Sequence, residues 1–168
     1  MSVPFVGAGE LARLLPMAAA IDALEGAFGA GALPDAPLRS NLDTPAGSLL
    51  LMPASGAPGL GVKLVTLTPS NPGRGLPFLH AAYVLFDQMT QAPRAVLDGS
   101  ALTALRTGAV SGLATRYLAR AAASRLVVFG AGVQARSHLE AMRAVRPVEE
   151  VVVVSRTRER AEALVTEA

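Results

Sequence analysis

Near the N-terminus, apolar residues recur at the three- and four-residue spacing of an α-helix. Leu11, Leu14, Leu15, Ala18, Ile21, Leu24 and Phe28 form one stripe, which predicts helix over residues 10–30. Pro16 has no amide proton and crowds the preceding turn, so it splits this span into a short first turn and a longer helix. Gly29-Ala30-Gly31 then ends it. From 36 to 98 the pattern shortens to apolar runs punctuated by Pro and Gly. It predicts strands at Leu38–Leu42, Ser48–Met52, Gly61–Leu67, Ala81–Phe86 and Arg94–Leu97. Residues 69–77 hold three prolines and two glycines and read as a loop. This block is expected to be an antiparallel sheet packed on the first helix.

The second part of the chain alternates differently. Asp98-Gly99-Ser100 opens a long helix reaching about Ala123, with the stripe Leu102, Leu105, Ala109, Leu113, Tyr117 and Leu118. A β run follows at Ser124–Phe129, then a glycine turn and a helix from Val133 to Val145, ended by Pro147. Val148–Val154 is a second β run and Thr157–Ala168 a second helix. The order β-α-β-α calls for parallel strands with right-handed crossovers. The fold class is therefore α/β: an N-terminal α+β domain over 1–122, then over 123–168 the first βαβα of an incomplete Rossmann-type parallel sheet.

The glycine turn carries the chemistry. Gly130-Ala131-Gly132-Val133-Gln134-Ala135 is a G-x-G-x-x-A sequence that follows an apolar strand and opens a helix. In that setting Gly130 makes the tight turn, Gly132 leaves room for a pyrophosphate against the backbone, and Ala135 lets the helix lie close to the sheet. The amides at the helix N-terminus then face the phosphates. The plain alternative is a turn that serves strand-to-helix packing alone. Gly7-Ala8-Gly9-Glu10-Leu11-Ala12 fits the same spacing, but only six residues precede it, and it reads as a loop into the first helix. At the end of the second strand an acid would bond the adenosine ribose. Ser155-Arg156-Thr157-Arg158 stands there instead, which favours a 2′-phosphate and hence NADP(H), with NAD(H) as the other candidate. The alternative is that Thr157 caps the last helix and the arginines are solvated.

Composition narrows the classes. Hydrophobic residues make up 51% of the 168 and charged residues 17%, so the chain can bury a core and is not disordered. No signal segment is visible at the N-terminus. The longest uncharged stretch, between Asp43 and Lys63, is broken by Pro and Gly and does not read as a membrane span. There are no cysteines, which excludes disulfides and thiolate metal sites and is compatible with the cytosol. The net charge is +2 and the seven aromatics are not interleaved with a basic stripe, so nucleic acid is not an expected partner. No metal-ligand spacing is present. His80 and His138, the two histidines, are expected to be structural. Against 14 arginines Lys63 is the sole lysine. It is either a chance survivor of an Arg-rich bias or a site that needs a compact, proton-exchanging cation.

Taken with Gly61-Val62-Lys63, Asn71 to Pro77, Leu102-Thr-Ala-Leu-Arg106-Thr107 and Gly130 to Leu139, the chain resembles the ornithine cyclodeaminase/μ-crystallin family over essentially its whole length. The resemblance implies an N-terminal α+β substrate and dimerisation domain, hence a homodimer, followed by the Rossmann domain. It also implies NAD(P)-dependent hydride chemistry at the α-carbon of an amino or imino acid: ornithine to proline with ammonia release, or cyclic ketimine reduction. By the same resemblance Arg39, Lys63 and Arg106 hold the substrate carboxylate, and Lys63 is the catalytic candidate, exchanging a proton near the imine nitrogen. Arg106, Gly130, Gly132, Val133, Gln134, Ser155 and Arg156 are assigned to the cofactor. Read from the residues alone, the alternatives are an ordinary strand cation at Arg39 and a solvated helix residue at Arg106, the latter disfavoured by its Thr-x-x-Arg-Thr setting.

Three departures stand out. Leu50 takes the place of a Glu found in ornithine-acting members, so a distal amine lacks its carboxylate. Phe78 replaces a Thr near the cofactor. The chain ends one helix past the second strand, short of the family's catalytic Asp. It is therefore expected to be a fragment, or a truncated product with little activity of its own and an unpaired apolar sheet edge. A non-catalytic, crystallin-like NADP(H) binder is the alternative to an enzyme.

Overall fold

A computed structural model describes residues 2–31, 35–56 and 59–167. Two compact units emerge, Met1–Leu14 with Ala30–Leu102, and Leu15–Gly29 with Thr103–Ala168.

The first unit is a six-stranded sheet with one short helix. β1 (Phe5–Val6) leads into α1 (Ala8–Leu14), and β2 (Ser40–Thr44), β3 (Gly47–Gly56), β4 (Gly59–Leu67), β5 (Leu79–Phe86) and β6 (Pro93–Asp98) follow. The spatial order is β1-β6-β5-β4-β3-β2. Neighbours from β2 to β6 are antiparallel, as the strand pattern predicts, while β1 joins β6 in parallel through Phe5↔Val96 and Val6↔Leu97. Gly7-Ala8-Gly9 thus follows a strand after all. The sequence reading missed it because two residues are too few to show alternation. The 69–77 loop contains one 3-10 turn at Pro72–Arg74 and is pinned by buried Asn71, whose Nδ2 donates to the Pro77 carbonyl at 3.0 Å.

The second unit contains α2 (Met17–Gly29), the greater part of α3 (Gly99–Leu118), β7 (Arg125–Phe129), α4 (Val133–Val145), β8 (Glu150–Val154) and α5 (Arg158–Glu167). β7 and β8 pair in parallel from Arg125↔Glu150 to Phe129↔Val154, as the β-α-β-α order requires. Ala168, the last residue of the predicted final helix, lies outside the described residues. Pro16 divides α1 from α2 as expected. The partner of α2 is a correction. Its buried Met17, Ala20 and Ile21 pack with Ala109 and Leu113 of α3 and Ala141 of α4, where the sequence reading placed the first helix on the sheet. An apolar stripe states that a helix must be covered, not by what.

Small residues let these helices approach closely. A Cβ on Gly108 would stand 2.6 Å from the Ser137 carbonyl oxygen, and one on Gly112 would stand 2.7 Å from Ile21 Cδ1. Polar contacts fix the rim. Glu25 accepts from the Tyr117 hydroxyl and the Arg116 guanidinium, and Arg116 also pairs with Asp22 at 2.8 Å. α3 stops at Leu118, earlier than predicted, and Tyr117 and Leu118 are exposed. Its terminal carbonyls are gathered by Arg146: Nη2 donates to Thr115, Arg116 and Ala119 at 2.7–2.9 Å, and Nε to Arg120 at 3.0 Å. A second core beneath β7 and β8 is built from Ala135, Leu139 and Leu164. Among the described residues no helix is long and apolar enough to cross a membrane.

Candidate functional site

β7 delivers the chain to the glycine turn with its amide ladder still in register, and Gly130 N–H donates to the Val154 carbonyl at 2.8 Å. The backbone then reverses at Gly130, whose φ of 101° is a conformation that side-chain-bearing residues rarely adopt. Gly132 is different. Its φ is −97° and ψ −170°, ordinary extended backbone, and a Cβ there would meet nothing within 4 Å. Neither conformation nor packing within the chain requires a glycine at this position, so the missing side chain keeps the space above it clear. That space is a cleft of about 440 Å³ lined by Gly130, Ala131, Gly132, Val154, Ser155, Arg156, Thr157 and Arg160. It lies off the carboxyl ends of two parallel strands, the location at which open α/β sheets take their ligands.

The structure therefore brings Gly130, Gly132, Ser155 and Arg156 together. Ala135, buried against the strands, gives the close helix-to-sheet contact expected of the last motif position. Val133 is exposed in the first turn of α4. Gln134 lines a separate groove of about 310 Å³ with Phe129, His138 and residues of β7. His138 Nδ1 sits 2.7 Å from the Gln134 carbonyl, a local helix contact.

The charges around the cleft differ from the expected pair. Arg158 is bound to Glu162 at 2.7 Å and does not line the cleft. Arg160, one residue pair further along α5, does, and neither it nor Arg156 has an ion-pair partner among the described residues. Ser155 Oγ accepts the Thr157 amide at 3.2 Å, so the serine shapes the turn and the Thr157 carbonyl takes the Ala161 amide at the helix start. Sequence reasoning missed Arg160. Its signal was available, because a residue three past the helix-initiating threonine returns to the same end of the helix.

The three substrate candidates fall in different elements. Arg39 is exposed, one residue before β2. Lys63 is half-buried on β4, in register with Met52 of β3 and Tyr83 of β5. Leu50 shares its sheet face, one row along, opposite Val65. Arg106 is exposed on α3, within the second unit. No cluster of three potential metal ligands occurs among the described residues.

Known proteins are similar to this chain in sequence and fold. Over 114 residues the chain is 46% identical to a Delta(1)-pyrroline-2-carboxylate reductase of Bacillus cereus, covering 67% of this chain and 35% of that protein. It is 40% identical over 144 residues to an alanine dehydrogenase of Archaeoglobus fulgidus, covering 84% and 45%. The structure of Thermococcus litoralis Delta(1)-pyrroline-2-carboxylate reductase in complex with NADH and L-proline superposes with a TM-score of 0.88 at 35% identity, over 98% of this chain and 53% of that one. The chain thus spans a third to about a half of the length of these relatives. The sequence model of the ornithine cyclodeaminase/mu-crystallin family matches residues 5–168. With the glycine turn, the parallel strand pair and the antiparallel sheet all in their expected order, the chain belongs to the ornithine cyclodeaminase/mu-crystallin family.

Proposed function

We propose that this chain holds a nicotinamide dinucleotide with its diphosphate against residues 130–134, and that the protein acts at the α-carbon of a small amino or imino acid. The observation that carries the reading is the clear space over Gly132 at the mouth of α4. Amides at a helix N-terminus attract a diphosphate, and a side chain at 132 would occupy its place. The bound cofactor would supply or accept hydride. The chain's own residues would bind and orient: Arg39 and Lys63, and separately Arg106, take the substrate carboxylate, and Lys63 exchanges a proton at the imine nitrogen. Gln134, Val133 and Arg106 are further cofactor contacts. We assign substrate binding and homodimer pairing to residues 1–122 and the dinucleotide to 123–168.

The cofactor is NADP(H). Among the described residues Arg156 and Arg160 line the cleft without an ion-pair partner and no acid lines it to bond ribose hydroxyls, and guanidinium groups suit a 2′-phosphate. Relatives crystallised with NADH or NAD+ support a nicotinamide dinucleotide, and the two arginines support the 2′-phosphate. Catalysis is favoured over a purely binding role by relatives that are reductases and dehydrogenases. The absence of a carboxylate at Leu50 favours a cyclic or aliphatic substrate over a diamino acid.

Titration of the chain with NADPH and NADH, followed by cofactor fluorescence, tests the reading. Saturable binding with NADPH the tighter ligand is expected. Absence of saturable binding by either dinucleotide would contradict the proposal.

A further inference from the structure

Tyr83 is not among the residues that the motif reading assigns to the site, yet it stands directly across from Lys63 in the β4–β5 register. Paired residues of an antiparallel ladder project from the same face. Their neighbours on that face include Leu50, Met52, Val65 and Leu97, so an ammonium and a phenol stand beside a group of apolar side chains. The phenol occupies space that Gly61 leaves open: a Cβ on that residue would stand 2.1 Å from the Tyr83 hydroxyl. The ring thus lies over a position that only glycine leaves empty, two residues from Lys63 on the same strand. Tyr83 is half-buried, its hydroxyl has no hydrogen-bond partner among the described residues, and burial alone pushes its pKa up. A phenol in this state keeps its proton at neutral pH and has it to donate.

We propose that the Tyr83 hydroxyl is a hydrogen-bond donor to the substrate carboxylate beside Lys63, and that Gly61 is the residue that positions it. The inference rests on the reading of Lys63 as a substrate residue. It commits the site to a small carboxylate with an apolar skeleton: the ammonium and the phenol engage the carboxylate oxygens while Leu50, Met52, Val65 and Leu97 offer apolar surface to the carbon skeleton. A partly desolvated hydrogen bond to a charged oxygen is worth roughly tenfold in affinity.

The chain has two tyrosines and no tryptophan, so Tyr117→Phe leaves Tyr83 as the sole near-ultraviolet reporter. L-proline, a transparent carboxylate with a cyclic apolar skeleton, is the probe, and equilibrium dialysis of radiolabelled proline gives occupancy independently of the tyrosine. Expected are a saturable shift of the Tyr83 absorbance on proline binding, loss of binding in Lys63→Met, and about tenfold weaker binding in Tyr83→Phe. Gly61→Ala, which displaces the ring, should weaken binding similarly and add nothing to Tyr83→Phe in the double variant. Circular dichroism of each variant checks the fold. Proline that binds through Lys63 with a silent Tyr83 spectrum and unchanged affinity in Tyr83→Phe overturns the inference and leaves the functional reading standing. No binding, or binding that survives Lys63→Met, removes that reading and the inference with it.

Discussion

The two glycines of the nucleotide turn serve different ends. Gly130 is demanded by the chain itself, because its backbone lies where a Cβ is strained. Gly132 meets no such demand from the described residues, and the proposed diphosphate supplies the reason for it. Substitution should separate them. Gly130→Ala is expected to lower thermal stability, by about 1 kcal/mol or more, whether or not nucleotide is present. Gly132→Val should leave the melting temperature of the free protein unchanged while weakening dinucleotide binding about tenfold or more, since its side chain fills the diphosphate position. Thermal melts with and without NADPH read both effects. Arg156 and Arg160 are tested by paired titrations. Arg160→Ala should reduce NADPH affinity several-fold and leave NADH affinity nearly unchanged, and Arg158→Ala should affect neither, its guanidinium being committed to Glu162. A loss of about 1 kcal/mol suits so exposed a contact.

At the scale of elements, single side chains hold segments that lack a local reason to stay in place. Arg146 is the strongest case, bringing one planar donor fork to four carbonyls at the end of α3. Arg146→Ala removes these donors, leaving the Thr115 and Arg120 carbonyls to the Ala119 and Ala123 amides, and should cost roughly 1–3 kcal/mol. Arg146→Lys should recover little, because a point ammonium cannot reproduce the fork; urea unfolding midpoints decide. Asp87 holds the turn between β5 and β6, where Gln91 adopts a φ of 57°. Its carboxylate accepts from the Thr90 amide at 2.9 Å, the Thr90 hydroxyl at 3.0 Å and the Met89 amide at 3.1 Å. The Thr90 amide foremost, then that hydroxyl and the Met89 amide, hold its pKa below the ordinary carboxylate range. Because the folded-state value is the lower one, this contribution is complete above the unfolded value near 4 and disappears as pH falls through the folded value. The acid limb of stability against pH should therefore be shallower in Asp87→Asn than in the parent chain, as urea midpoints measured at descending pH would show.

Across the whole molecule, legibility in the sequence followed the range of the interactions. The glycine turn, the Pro16 break and the start of α3 were readable because each is settled within a few residues. At the start of α3 the Asp98 carboxylate accepts the Ser100 and Ala101 amides at 2.9 and 3.0 Å. Strands β3 to β6 were readable from their apolar runs. What escaped depends on register or packing between distant segments. Tyr83 meets Gly61 only once β4 and β5 have paired, and α2 finds its cover on α3 and α4 only in three dimensions. Arg160 reaches the cleft only because α5 begins at Arg158, and β1 is too short to leave a pattern. Amide-resolved NMR reads where a dinucleotide lies on the chain. On addition of NADPH to the isotope-labelled chain, the largest shifts are predicted at the amides of Gly132, Val133 and Gln134, followed by Arg156 and Thr157. Saturable NADPH binding that leaves these amides unmoved, with shifts elsewhere or none, would contradict the account.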